Sequence, residues 1–283
     1  MKKIIINADD FGLTKTISDE IIKVYKIGNL SSTSLMVNTP GRDYAINLAR
    51  ENPDLGIGLH FNLTEGFALT GVSSITNSEG KFLDKMKLIL YVILKKIDIK
   101  DLYKELKAQY EYIIKAGLIP SHIDSHQHIH MNPKIFKLVA DFAKEKNISI
   151  RITFPQTIIR NNGIINYKKR IKQYILQYAS IKNSRYANKI GLKFNKSFNS
   201  IFDFHPFQMP EKKDYLNLLN KSFSDKHELM IHLYKESKEL KEFYKENYRK
   251  KNKFFKIAIK ELSVLSKDFI FNNYQLITFR DLY

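Results

Sequence analysis

The chain contains no cysteine. Disulfides and thiolate metal sites are therefore excluded, and any metal must be held by His, Asp, Glu or backbone oxygen. Long apolar runs are missing too. Residues 88–97 are apolar but too few to span a bilayer, and Lys95 and Lys96 interrupt them. Met1-Lys2-Lys3 followed by Ile4-Ile5-Ile6 opens like a signal peptide, yet Asn7, Ala8, Asp9 and Asp10 end the apolar run. The expectation is a soluble, cytoplasmic protein with no stable membrane insertion. Acidic charge is scarce: 29 Asp+Glu against 47 Lys+Arg leave a net charge of +18. Such an excess raises nucleic acid or an anionic surface as partner. Here the basic residues are spread along a Lys-, Ile- and Asn-rich chain, which fits solvated faces better than a nucleic-acid footprint.

What is present is a large apolar fraction, 43% of 283 residues, enough for a substantial core. Residues 4–8 form a short, β-branched, continuously apolar run, the pattern of a buried parallel strand. Residues 14–27 have helical spacing through Ile17, Ile21 and Val24, and Gly28 is placed to cap them. Strands are predicted at 34–37, 55–61, around Ile123, and at 148–152, 229–231 and 276–279. Helices are predicted at 43–51, 100–116 and after Asn132-Pro133, where Asn caps free amides and Pro suits the first turn. Strand and helix alternate from end to end, which favours a parallel sheet with helical crossovers. No linker, repeat or low-complexity tract divides the chain, so residues 1–283 are expected to be one domain. Residues 160–198 are the least regular stretch and are expected to be an insertion or lid over the barrel mouth.

Four places carry residues suited to chemistry. Asp9-Asp10 closes the first strand, at the end where α/β barrels place their sites. Neighbouring residues on an extended chain point different ways, so one carboxylate can hold a metal while the other takes a proton. The segment from His122 to His130 holds four histidines in nine residues, a density that packing does not explain. Alternation along an extended segment would put His126, His128 and His130 on one side. His60 and His232 each close an apolar strand. A lone His there is more often structural, but convergence of several strand ends is what a barrel-mouth site requires. Arg151 follows another strand and could fork onto a carboxylate. Arg280 is better read as a surface ion pair, and Asp203 and His205 are weaker candidates.

Asn7-Ala8-Asp9-Asp10-Phe11-Gly12, Gly58 through Gly66, His122 through Met131, Glu228-Leu229-Met230 with His232, and Ile277-Thr278-Phe279-Arg280 occur in this order. In these motifs the chain resembles the YdjC-like carbohydrate deacetylases, which include the diacetylchitobiose deacetylases, over nearly its whole length. The resemblance implies a distorted α/β fold, a TIM-like (β/α) barrel of about seven parallel strands like that of polysaccharide deacetylases. It implies an enzyme that removes an acetyl group from the nitrogen of an N-acetylated sugar. One divalent metal is implied on Asp10, His60 and His126, with Asp9 as catalytic base. His232 is then the expected proton donor and Arg151 the partner that keeps Asp9 ionised. His128, His130 and Glu65 are expected as substrate contacts or as partners that orient the ligands. Magnesium is the metal by resemblance, zinc or another transition metal by ligand chemistry. After His232 the family usually has Pro-Gly, and this chain has Leu233-Tyr234.

Other classes fit less well. Two His and one carboxylate also form the facial triad of non-haem iron oxygenases, which normally use a double-sheet β fold. A metal-dependent phosphoesterase would more often use two metals and more carboxylates. A basic nucleic-acid-binding module would leave the Asp and His constellation unexplained. The expected partner is an N-acetylated sugar, with no nucleic acid and with a homodimer left open.

Overall fold

The structure, a computed structural model, describes residues 1–154, 167–203, 209–220 and 225–282. In chain order the elements are β1 (Lys2–Phe11), α1 (Lys15–Ile27), β2 (Ser32–Leu35), α2 (Arg42–Glu51), β3 (Gly56–Phe61), α3 (Lys85–Ile93), α4 (Ile99–Lys115) and β4 (His122–Ser125). They continue with α5 (Pro133–Glu145), β5 (Ser149–Ile150), α6 (Tyr167–Lys189), β6 (Ser197–Ser200), α7 (Lys212–Asn220), β7 (His227–Ile231), α8 (Lys238–Phe243), α9 (Tyr248–Leu265) and β8 (Tyr274–Leu276).

Seven strands form one parallel sheet in the order β5-β4-β3-β2-β1-β7-β6. The sheet curls into a distorted TIM-like barrel. Its edges approach at Ile150, which bridges to Phe194 just before β6. The Asn195 side chain completes that seam: Ile152 N donates to its Oδ1 at 2.7 Å, and its Nδ2 donates to Ile152 O at 2.9 Å. A side-chain amide thus stands where a backbone partner would.

Side-chain alternation along β1 divides its residues between two environments. Ile4, Ile6 and Ala8 join the main core with Ile17, Ile21 and Val24 of α1. Ile5 points the other way, into a small cluster with Ile277, Phe279 and Leu282. That cluster closes the barrel at the N-terminal ends of its strands. β8 pairs with Lys2–Ile4 of β1, and Phe279 stacks on His122 with centroids 3.9 Å apart. The final strand is therefore Tyr274–Leu276, sharing only Leu276 with the expected 276–279, and it lies off the barrel path. The missing barrel strand is β6, whose Ser-Phe-Asn-Ser sequence has no apolar run to mark it.

The helix ends follow their sequence signals. Thr14 accepts from Ile17 N at the start of α1, and Gly28 ends it at φ +92°. Asn132 caps α5 by accepting from Lys134 N, with Pro133 in the first turn. Within the 160–198 stretch, α6 packs on α5 and donates from Asn183 Nδ2 to Met131 O at 3.0 Å. Residues 160–166 of that stretch and His205 lie outside the described residues. No helix among the described residues is long and apolar enough to cross a membrane.

Candidate metal centre

The site starts from an irregularity in β1. Its register against β2 slips between Ala8 and Phe11, and Asp10 sits at φ +67°. Such a bulge re-aims side chains that a regular strand would send to opposite faces. Gly12 follows at φ +86°, where an added Cβ would lie 2.8 Å from Met36 O. Asp9 and Asp10 both remain buried, and they face different partners.

Asp10 meets the imidazoles. Its Oδ1 is 2.8 Å from His126 Nδ1 and 3.3 Å from His60 Nε2. His60 is the penultimate residue of β3, and its Nδ1 lies 2.7 Å from Asp124 Oδ1 on β4. Asp124 holds the Nδ1 proton of His60, so loss of the other ring proton would leave an Nε2 lone pair facing Asp10, the arrangement that fixes an imidazole for metal ligation. One donor atom each from Asp10, His60 and His126 fits within a 4.8 Å span. His126 Nε2 is buried with no hydrogen-bond partner.

Asp9 meets Arg151. The guanidinium donates to both Asp9 oxygens, at 2.9 and 2.7 Å, and Asn7 Nδ2 donates to Asp9 Oδ1 at 2.9 Å. Arg151 also reaches Asp124 Oδ2 at 2.5 Å and Glu228 Oε1 at 2.7 Å. Arg151 is fully buried, as are Asp124 and Glu228. Arg151 thus faces three carboxyl groups, and the Asp10 carboxyl lies beside them.

The titration of these groups follows that imbalance. Burial pushes Asp10 up, but His126 and His60 outweigh it and hold its carboxyl well below the usual range. Burial likewise opposes the Asp124 charge, and Arg151 and His60 hold that carboxyl down. Burial works against the His60 cation, yet the Asp124 and Asp9 carboxylates raise it to about 10. Glu228 goes the other way, raised to about 7 by burial that its Arg151 contact only partly offsets. The pocket is negative, and a divalent cation among Asp10, His60 and His126 would neutralise it. These residues fit a metal by donor type, by geometry and by charge.

The remaining histidines separate. β4 stops at Ser125, and the chain turns through a 3-10 segment, His126–Met131, with positive φ at Gln127 and His128. The expected alternation of His126, His128 and His130 on one side is therefore not observed, because the extended backbone it needs ends one residue earlier. His130 uses both ring nitrogens for scaffolding, with Ser125 Oγ at 2.5 Å and Arg151 O at 3.0 Å. His128 is half-buried, its ring perpendicular to that of Phe198 with centroids 5.8 Å apart. His122 lies at the barrel floor, kept neutral by burial, which lowers it to about 3.

His232 follows β7 with Nε2 3.9 Å from Asp10 Oδ2. Its backbone N donates to Glu261 Oε2 at 2.9 Å, and its ring packs edge-on against the stacked Phe202 and Phe254. Glu65 lies outside His126, 4.0 Å from its Nε2, and accepts from Lys251 at 2.6 Å and Gln127 at 3.0 Å. Arg280 is exposed and donates to Pro53 O at 3.4 Å. Asp203 ends a short 3-10 turn, Ile201–Asp203. Three neighbours were not singled out from sequence: Asp124, Glu228 and Tyr234. A charged residue inside an otherwise apolar strand was the available signal for Glu228, and its place within the histidine motif was the signal for Asp124. Tyr234 gave none.

The family model described as YdjC-like protein matches residues 3–270. Over 150 residues the chain is 41% identical to a carbohydrate deacetylase of Clostridium beijerinckii, covering 53% of this chain and 59% of that protein. It is 39% identical over 152 residues to a chitooligosaccharide deacetylase of Proteus mirabilis, covering 53% and 58%. The chain thus spans little more than half the length of the curated relatives it matches. A solved structure from Enterococcus faecalis, named for cellobiose-phosphate cleavage, shares the fold with a TM-score of 0.73 at 21% identity, over 99% of this chain and 98% of that one. The match over residues 3–270 shows that the chain belongs to the YdjC-like family.

Proposed function

We propose that this YdjC-like family member is a metal-dependent hydrolase that removes the acetyl group from an N-acetylated sugar or short chito-oligosaccharide. The products are acetate and a free amino sugar. The observation that carries the reading is the convergence of Asp10, His60 and His126 at the C-terminal ends of β1, β3 and β4, beside the Arg151-bound Asp9. The names of the relatives from Clostridium beijerinckii and Proteus mirabilis support the same chemistry. Residues 1–283 are read as one working domain, since β8 pairs with β1 and Asn29 ties α1 to the end of α9.

Asp10, His60 and His126 would hold one divalent cation. Two imidazoles and one carboxylate suit zinc or another transition metal, while magnesium prefers an all-oxygen set. When bound, the cation supplies Lewis acidity, acidifying water and polarising the amide carbonyl. Asp9 accepts the proton of the attacking water. Arg151 holds Asp9 by both oxygens, which fixes the orientation of the carboxylate. Burial lowers His232, which is neutral at rest. His232 therefore acts as a relay: the proton that Asp9 takes from the water passes to His232 and on to the leaving nitrogen as the C–N bond breaks. The proton lost by the water ends on the amine, and acetate carries the new C–O bond.

A two-cation phosphoesterase would need a second ion near Asp9, His60 and Asp124, whose donor atoms also lie within 4.8 Å. Arg151 already contacts both of those aspartates, and its fixed charge stands where the second ion would be.

The test is acetate release from N-acetylglucosamine oligomers and glycolipid-like acetamido sugars. Metal-stripped protein is compared with protein given zinc, magnesium, cobalt or iron. Release is expected only after metal is restored. Asp9→Asn should abolish turnover and leave metal binding largely intact. A protein that binds the cation and releases acetate from no acetamido sugar refutes the assignment.

A further inference from the structure

Asp10 divides its two oxygens between two kinds of partner. Oδ1 faces the imidazoles, while Oδ2 accepts a hydrogen bond from the Tyr234 hydroxyl at 2.6 Å. His232 Nε2, at 3.9 Å, is too far to share that oxygen as a hydrogen-bond donor. The phenol has little freedom to leave. Tyr234 is fully buried, its ring lies edge-on to Phe254 at 5.4 Å, and it stacks with Phe255 at 5.8 Å. Both phenylalanines belong to α9, so a helix remote from β1 in sequence sets where this hydroxyl lies. On the other side, the Asp10 backbone is fixed by its positive φ and by the bond from Leu13 N to its carbonyl.

We propose that Tyr234 is a positioning residue that confines Asp10 to ligating a divalent metal through Oδ1 alone. A carboxylate beside a cation can bind through one oxygen or two. A short phenolic hydrogen bond on Oδ2 withholds that oxygen and fixes the rotation of the carboxylate. The geometry at the metal is thereby set by a side chain that never touches it. This inference rests on the metal reading above, and its test separates the two.

The experiment measures Zn²⁺ and Co²⁺ affinity by calorimetry for wild type, Asp10→Asn and Tyr234→Phe, and records the visible spectrum of each Co²⁺-loaded protein. The phenylalanine keeps the ring packing and removes only the hydroxyl. Wild type is expected to bind one ion, and Asp10→Asn to bind it far more weakly. Tyr234→Phe is expected to bind it with a Kd raised about tenfold to a hundredfold. Its Co²⁺ band should also change shape at saturation, because the freed Oδ2 alters the coordination. Circular dichroism and thermal melts of the metal-free proteins confirm that the phenylalanine variant is folded. Wild-type affinity together with a superimposable Co²⁺ spectrum in folded Tyr234→Phe overturns the positioning role and leaves the metal site intact. No ion bound by wild type overturns the metal reading and this inference with it.

Discussion

Replacing Arg151 by Met tests the charge arrangement beneath the site. The guanidinium contacts Asp9, Asp124 and Glu228, and all four residues are buried. Methionine fills similar space and supplies no charge. Removing one partner of a buried ion pair leaves an uncompensated charge, at a cost of about 3–5 kcal/mol. For a chain of this size that corresponds to a melting temperature lower by on the order of 10 °C. The pH dependence is the sharper part. In the wild type the Asp124 carboxyl titrates well below its ordinary value, because Arg151 and His60 outweigh the effect of burial. A depressed carboxylate contributes stability above its unfolded pKa and loses it as pH falls through the folded one. Without Arg151, burial weighs more heavily on Asp124 and its carboxyl takes up a proton more readily. The deficit of Arg151→Met should therefore be large at neutral pH and shrink toward about pH 5. Thermal melts of metal-free protein at both pH values measure it. A variant that melts with the wild type, or a deficit that grows toward acid, refutes the reasoning.

Two further predictions concern the same framework. Burial raises Glu228 to about 7 from 4.5, so the folded state holds its proton longer than the unfolded chain does. Its contribution to stability is full below the unfolded value and is lost as pH rises through about 7, a change of roughly 3 kcal/mol. Denaturant titrations of Glu228→Gln across this window should lack that fall, and a slope equal to wild type would count against the assignment. Gly58→Ala would place a Cβ 2.2 Å from His122 Cε1. That ring is stacked on Phe279 and its nitrogens lie 3.1 Å from Ser34 Oγ and 3.0 Å from Ser121 Oγ, so it has nowhere to move. A loss of about 3 kcal/mol is expected, read as a lower denaturation midpoint. An unchanged midpoint would show that the barrel floor is looser than these contacts require.

Sequence by itself determined much of this protein. Short apolar runs, β-branched throughout only in Ile4-Ile5-Ile6, marked β1, β3 and β7 together with the strand ends where Asp9, Asp10, His60 and His232 lie. The Thr14, Gly28 and Asn132-Pro133 signals marked helix boundaries, because a cap is a local hydrogen bond between residues a few positions apart. Tertiary structure decided the rest. β6 has no apolar run and exists because β7 supplies its hydrogen bonds. The histidines of one dense motif were sorted into an Asp10-facing His126, a scaffolding His130 and a buried floor residue, His122, by a turn that local spacing does not specify. Arg151 stands 142 residues from Asp9 and 77 from Glu228, and Tyr234 stands 224 from Asp10. Periodicity reports which way a side chain faces its own element. Which distant charge or hydroxyl meets it is fixed only when the sheet curls and brings the strand ends together.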